Sequence, residues 1–239
     1  MDKVALITGG TSGIGLALAE AFLAEGYRVA VCARTQTDLD AFGRDHPTSL
    51  AVQADLTDED ARGALLDSID DRFGRLDVLV NNAGVFVERS FVAGEDTTVA
   101  LDQELYLNLT APIHLTSDVL RRWTAVEAVV FITSGFALVS PTRAPTYGAA
   151  KAGLRGFANG LRRQLAPTGT HVLEVLPPMV DTPMNADSEG PKMEPAEVAA
   201  HTLAALRRRR PTASPGRTRM MWPMQRIAPQ TLDRIVGRL

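Results

Sequence analysis

The chain has one cysteine, Cys32, in 239 residues, so it cannot form an internal disulfide, and a buried, inert thiol in a reducing compartment is expected. Its four histidines, His46, His114, His171 and His201, are far apart in sequence and have no metal-ligand spacing, so no metal is expected. No apolar run approaches the roughly 20 residues of a membrane span. The opening MDKVALITGG carries charge at once and then only a short apolar run, unlike a secretory leader or a transit peptide. Neither sign of charge dominates, with 25 Lys and Arg against 28 Asp and Glu and a net charge of −3, so a polyanion binder is not indicated. The run 207–210 of arginines has no recognition motif beside it and reads as cations at a helix C-terminus, with no nucleic-acid partner. A globular cytoplasmic protein is the expectation.

What is present is rhythm. Runs rich in β-branched residues at 4–8, 27–33, 49–54, 76–80, 128–133 and 171–176 alternate with stretches of helical periodicity. Continuous apolar strands separated by helices imply βαβ units and a parallel sheet covered on both faces. No Gly/Ser/Pro-rich break interrupts the first 180 or so residues, so 1–239 reads as a single α/β domain with a mobile or functional loop at 183–195, a short helix at about 194–209 and a variable tail at 211–239. In that tail Leu232, Ile235, Val236 and Leu239 recur at helical spacing, which predicts a short amphipathic helix packed on the core or on a neighbouring subunit.

Ligands bind at the carboxyl ends of such strands. After the first comes TGGTSGIG, with Gly9, Gly13 and Gly15 around Thr11, Ser12 and Ile14. Glycines there permit a tight turn and close backbone approach to a pyrophosphate at the helix N-terminus, although the spacing differs from the common G-x-G-x-x-G. The second strand ends in Ala33-Arg34, with no carboxylate for a ribose and a guanidinium for a 2′-phosphate, which favours NADP(H) over NAD(H). The third runs into Asp55-Leu56, ahead of an expected helix cap at Thr57. The fourth runs into NNAG with Asn82, Ala83 and Gly84, suited equally to structural support and to a cofactor wall. Pro112 cannot donate to the carbonyl of Asn108, so a kink is expected at Asn108 if the segment is helical.

The fifth strand ends at Ser134, and YGAAK follows, placing Tyr147 and Lys151 on one helix face. A free tyrosine has a pKa near 10, too high for efficient proton exchange at neutral pH. A cation about 4 Å away at an effective dielectric of about 20 interacts by about 4 kcal/mol, or about three pKa units. Burial opposes this. The expected net effect is a tyrosine lowered toward neutrality beside a hydride carrier.

Taken together, TGGTSGIG, Asp55, NNAG, Asn108, Ser134, YGAAK and PPMVDT, in this order and over about 3–182, resemble the short-chain dehydrogenase/reductase family. The resemblance accounts for the glycine spacing and implies a Rossmann fold with a seven-stranded parallel sheet. It also implies reversible hydride transfer between NADP(H) and a carbonyl or secondary alcohol. By the family's pattern Tyr147 is the general acid/base and Lys151 tunes it and holds the nicotinamide ribose. Ser134 polarises the substrate oxygen, and Asn108 keeps a water on the path from Lys151 to solvent. Asp55 lies at the adenine, Asn82 to Gly84 along the cofactor, and Pro177, Met179, Val180 and Thr182 near the carboxamide. Two departures stand out: Pro178 where the family commonly has glycine, and a C-terminus without the family's glycine-rich ending. The candidate substrate pocket comprises Phe86, Phe136, Thr142, Met179 and Met184, with Leu138, Met193 and Trp222 as further members. These suit an apolar compound, and Arg89 or Arg143 is a possible anchor for an anion. The family commonly assembles as homodimers or homotetramers. The alternative reading is a non-catalytic NADP(H)-binding sensor or regulator.

Overall fold

The computed structural model describes residues 2–92 and 100–237. Seven parallel strands form one sheet in the order β3-β2-β1-β4-β5-β6-β7. They are β1 (Val4–Thr8), β2 (Arg28–Ala33), β3 (Leu50–Gln53), β4 (Val78–Asn81), β5 (Ala128–Ile132), β6 (His171–Val175) and β7 (Thr212–Ala213). The expected strands are all present, trimmed or shifted by one or two residues. Just before β4, Asp77 bonds both neighbouring strands through its backbone, and its buried carboxylate accepts the Val4 amide (2.7 Å) and the Arg75 guanidinium.

Alternating strand residues divide the core into two layers. Ala5 and Ile7 of β1 face α1 (Gly13–Ala24), α2 (Gln36–Asp45) and α7 (Pro195–Arg207), through Leu18, Phe22, Leu39 and Val198. Val4 and Leu6 face α3 (Glu59–Phe73), α5 (Ala111–Arg122) and α6 (Pro145–Leu165), through Leu65, Leu115 and Leu154. With both faces covered, β1, β4 and β5 are buried along their whole length and mostly apolar, with polar Thr8 and Asn81 only at the carboxyl ends of β1 and β4. The sheet and its flanking helices form the single Rossmann-type domain that the sequence implied.

Three local expectations change. Asp58, not Thr57, caps α3 by accepting the Ala61 amide (2.9 Å), because Thr57 donates both its amide and its hydroxyl to Asp55. The α7 helix ends at Arg207, short of 209, since Arg209 takes a left-handed φ of 47°. The tail holds two helices instead of one, α8 (Thr218–Ile227) and α9 (Pro229–Val236). They separate at Ala228, which Pro229 pushes out of the helical region (φ −139°, ψ 59°). Leu232 and Val236 are buried as the amphipathic pattern requires, Ile235 is half exposed, and Leu239 lies outside the described residues.

The kink expected ahead of Pro112 is a π-helical turn, Tyr106–Thr110, between α4 (Leu101–Leu105) and α5. Its wider loop accommodates the missing proline donor, and Asn108 sits at its centre, fully buried.

Phe131 is fully buried on β5 and meets Phe157 of α6 edge-on at 5.8 Å. Phe131→Ala is expected to cost about 3–5 kcal/mol, read as a lower urea midpoint at unchanged slope.

Candidate active site

The strand order reverses between β1 and β4, and this opens a crevice at their carboxyl ends. The β1–α1 turn fills one side of it. Gly9 and Gly13 have φ of 63° and 52°, a backbone that side chains disfavour. A Cβ on Gly15 would lie 2.0 Å from the Gly9 carbonyl oxygen, and one on Gly13 would lie 2.9 Å from Thr182 Cγ2. The turn therefore closes against both the sheet and the segment after β6 only without side chains. Asn82 braces it: its amide nitrogen Nδ2 donates to Thr8 O (2.9 Å) and Gly9 O (3.3 Å), while Thr8 Oγ1 accepts the Asn82 and Ala83 amides, both at 2.9 Å. Structural support, one of the two open readings of the paired asparagines, is thus a role Asn82 fills while it also lines the crevice.

The crevice is a cavity of about 690 Å³. Gly9, Thr11, Ser12, Gly13, Ile14, Arg34, Asp55, Leu56, Asn82, Ala83, Gly84, Pro177, Met179, Val180 and Thr182 line it, whereas Gly15 lies behind the turn against Gly9. Two bonds from Thr57 and the nearby Arg34 cation hold the Asp55 carboxyl below its usual range, although partial burial pushes the other way. The chain's own shape suits a dinucleotide: a side-chain-free turn at a helix N-terminus for the pyrophosphate, and an exposed guanidinium at the end of β2. Asp38, in the first turn of α2, lines the same cavity and was not singled out from sequence. Pro178 also lines it, while Pro177 O accepts the Gly135 amide (3.2 Å).

At the other end stand Ser134, Tyr147 and Lys151. Ser134 Oγ accepts the Phe136 amide (3.1 Å) at the head of a 3-10 turn, which leaves its hydroxyl proton directed elsewhere. Lys151 Nζ donates to Ile132 O (3.1 Å) and lies 5.7 Å from the Tyr147 ring centre. Asn108 does not line the cavity. Its Oδ1 accepts the Val85 amide (3.1 Å) and its Nδ2 donates to Val85 O (2.8 Å), which pins the chain just after NNAG. Gly84 makes this possible, since a Cβ there would lie 2.6 Å from Asn108 Oδ1 and 3.4 Å from Lys151 Nζ.

The expected lowering of Tyr147 is reversed in the chain by itself. Burial pushes the phenol up to about 12, a hydrogen bond with Ser134 pulls it back in part, and the Glu104 carboxylate pushes it further up. Burial also brings Lys151 down to about 8. Helical spacing alone implies a fully charged, solvated lysine beside the ring, but in the fold both groups are desolvated and each resists its charged form.

Phe86 and Phe136 flank the Tyr147 ring edge-on at 5.0 and 6.4 Å, and Met179 and Met184 complete the expected pocket. Thr142 is not part of it: its hydroxyl donates to Gly237 O (3.0 Å) and so ties down the end of α9. Leu138 faces a separate groove, Met193 lies beneath Gly216, and Trp222 stacks on Arg155 while donating to Ser214 (3.1 Å). Arg89 is no substrate anchor either, being buried in an ion pair with Glu104 (3.1 Å). Arg143 does line the cavity, above Phe86 and paired with Glu88. The sequence reading missed Met220, Met221, Met224, Leu232, Ile235 and Val236, which wall the same end from α8 and α9. The methionine cluster at 220–224 was the available signal.

Between pH 8 and 10.5 the unfolded chain holds a proton on Lys151 that the folded chain has released. The unfolded state therefore binds more protons there, and this group makes stability rise with pH across that window. Lys151→Met removes the contribution. The urea midpoint of the unsubstituted chain is expected to gain on that of Lys151→Met from pH 8 to 10.5, and parallel profiles would contradict the depressed lysine.

The sequence profile described as "short chain dehydrogenase" matches residues 3–192. An uncharacterized oxidoreductase of Bacillus subtilis (strain 168), DltE, is 38% identical over 191 residues, covering 78% of this chain and 75% of that protein. A Streptomyces coelicolor protein provisionally named a ketoacyl reductase is 37% identical over 199 residues, covering 77% and 73%. Among solved structures, a short-chain dehydrogenase from Sphingobium yanoikuyae in complex with NADPH superposes with a TM-score of 0.82 at 30% identity, covering 96% of this chain and 94% of that one. One from Burkholderia cenocepacia J2315, in complex with NADP, has a TM-score of 0.87 at 24% identity, covering 98% and 97%, and shares the fold. With the profile spanning most of its length and the glycine turn, serine, tyrosine and lysine gathered around one cavity, the chain belongs to the short-chain dehydrogenase family.

Proposed function

We propose that this protein is an NADP(H)-dependent reductase of apolar carbonyl compounds, with Tyr147 as its proton donor. The observation that carries the reading is the convergence of Ser134, Tyr147 and Lys151 at the end of the cavity opposite the glycine turn. When bound, the nicotinamide supplies or accepts the hydride. The chain's own residues handle the oxygen. Ser134, with its lone pair engaged by the Phe136 amide, offers its proton to a carbonyl oxygen in the cavity. Tyr147 passes its proton to that oxygen as charge develops there. A phenol held well above its usual range is fully protonated at neutral pH but a weak acid, so a cationic cofactor together with Lys151 would be needed to lower it for proton transfer in either direction.

Arg34 supports the preference for NADP(H), as do neighbours of this fold carrying NADP or NADPH, while another carries NADH. A wall of methionines and aromatic rings supports an apolar substrate, and the 183–195 loop, which contributes Met184 and Pro191, would close over it. The ketoacyl assignment of the Streptomyces relative fits a β-keto ester or thioester.

Tyr147→Phe, assayed by NADPH oxidation against apolar ketones and β-keto esters, is expected to lower kcat by about 10²–10⁴-fold with NADPH affinity retained. Turnover at the unsubstituted level would overturn the mechanism. Arg34→Ala is expected to weaken NADPH binding by about tenfold, or about 1.4 kcal/mol, and to leave NADH within about twofold, as read by fluorescence titration. Equal losses for both cofactors would contradict the 2′-phosphate assignment.

A further inference from the structure

One charged group beside the catalytic tyrosine has no part in the mechanism above. Glu104, the fourth residue of α4, is buried with only 2% of its surface exposed. Its Oε2 accepts from Arg89 Nε (3.1 Å) and from Thr146 Oγ1 (2.9 Å), the residue immediately before Tyr147 in the first turn of α6. Its other oxygen, Oε1, is buried without a hydrogen-bond partner among the described residues. The Arg89 backbone amide reaches the same region and donates to Arg143 O (2.9 Å) at the approach to α6. A buried carboxylate with one oxygen left over is costly, yet a purely structural tie between α4 and α6 needs no charge.

We propose that Glu104 is a positioning residue of the reaction, its buried carboxylate fixing the first turn of α6 through Thr146 and thereby the place and protonation of the Tyr147 hydroxyl. The proposal rests on Tyr147 as the proton donor. Glu104 also stands two residues before the π turn that carries Asn108, so it links the two segments holding the tyrosine and the asparagine. A negative charge in a poorly screened place disfavours the phenolate, opposing whatever a bound cationic cofactor does. Other groups face Tyr147 as well. Ser134 comes from the end of β5, Lys151 from α6 itself, and the Phe86 and Phe136 rings are neutral. Of the arginines nearby, Arg143 brings the carboxylate of Glu88 with it, and Arg89 is the partner of Glu104. Replacing Glu104 with glutamine removes an anion, and this change favours the phenolate.

The chain has three tyrosines, so Tyr147 can be followed directly in protein labelled with ¹³C at the tyrosine ζ carbon, its resonance assigned by its loss in Tyr147→Phe. With NADP⁺ added to the full-length protein, Glu104→Gln is expected to lower the Tyr147 titration midpoint by about one unit. Glu88→Gln, which removes the exposed carboxylate next door, is expected to leave it in place. An unchanged midpoint in folded Glu104→Gln overturns the proposal. If Glu104→Gln does not fold, Thr146→Val keeps the charge and removes the tie. A kcat about tenfold lower with KM for NADPH unchanged supports the role, and full kcat overturns it. Tyr147→Phe run beside these variants separates the two readings. Retained turnover there removes the proton-donor reading and this one with it, whereas lost turnover with an unmoved Glu104→Gln midpoint removes only the role of Glu104.

Discussion

Burying both faces of a parallel sheet is the constraint from which the rest follows. Strands such as β1 and β5 have no exposed residue along their length, so they can carry no accessible chemistry on their faces. Polar groups that must meet a ligand are displaced to the carboxyl edge, and the reversal of strand order between β1 and β4 parts the connecting loops there. The first βα turn, the asparagines after β4, Ser134 after β5 and the prolines after β6 all meet at that edge. Function here is concentrated by the sheet's need to be dry.

The same dryness sets the electrostatics. Tyr147 and Lys151 are both nearly inaccessible, and each is pushed toward its neutral form. At neutral pH Lys151, brought down to about 8, is still mostly an ammonium, but burial of the phenol outweighs its pull. In the chain alone the tyrosine is held in its protonated form, and a cationic ligand in the cavity would push it toward the phenolate. The site's charge state is therefore tied to what occupies it.

Much of this was legible in the sequence because it depends on local rules. Apolar runs placed six of the seven strands to within a residue or two, the short β7 lying in the stretch read as a tail, while glycine spacing located the turn and Pro112 announced a break that the fold realises as a π turn around Asn108. What was not legible depends on distant packing. Thr142 had the composition of a pocket residue, but a carbonyl 95 positions away claims its hydroxyl. Arg89 had the charge of an anion anchor, but Glu104 takes it into the interior. The pKa of Tyr147 was misjudged in sign because spacing reports a neighbour's identity and not its solvation. The methionines of α8 were visible as a cluster, whereas their placement over the cavity follows from how the tail folds back, with Thr218 bonded to Leu176 O (2.7 Å) and Gln225 to Leu138 O (2.9 Å).

The π turn has a bearing on how such a chain tolerates change. A residue added to an α-helix normally rotates everything beyond it by about 100°, which would turn the buried stripe of α5 toward water. Here the surplus is held within Tyr106–Thr110, and the helices on either side each keep their inner face. Shortening that turn by one residue would remove the surplus and keep Leu115 and Val119 in the core, with the bond missing at Pro112 the remaining fault, while Asn108 lost its hold on Val85. A one-codon deletion could thus disconnect the site from a scaffold that stays folded.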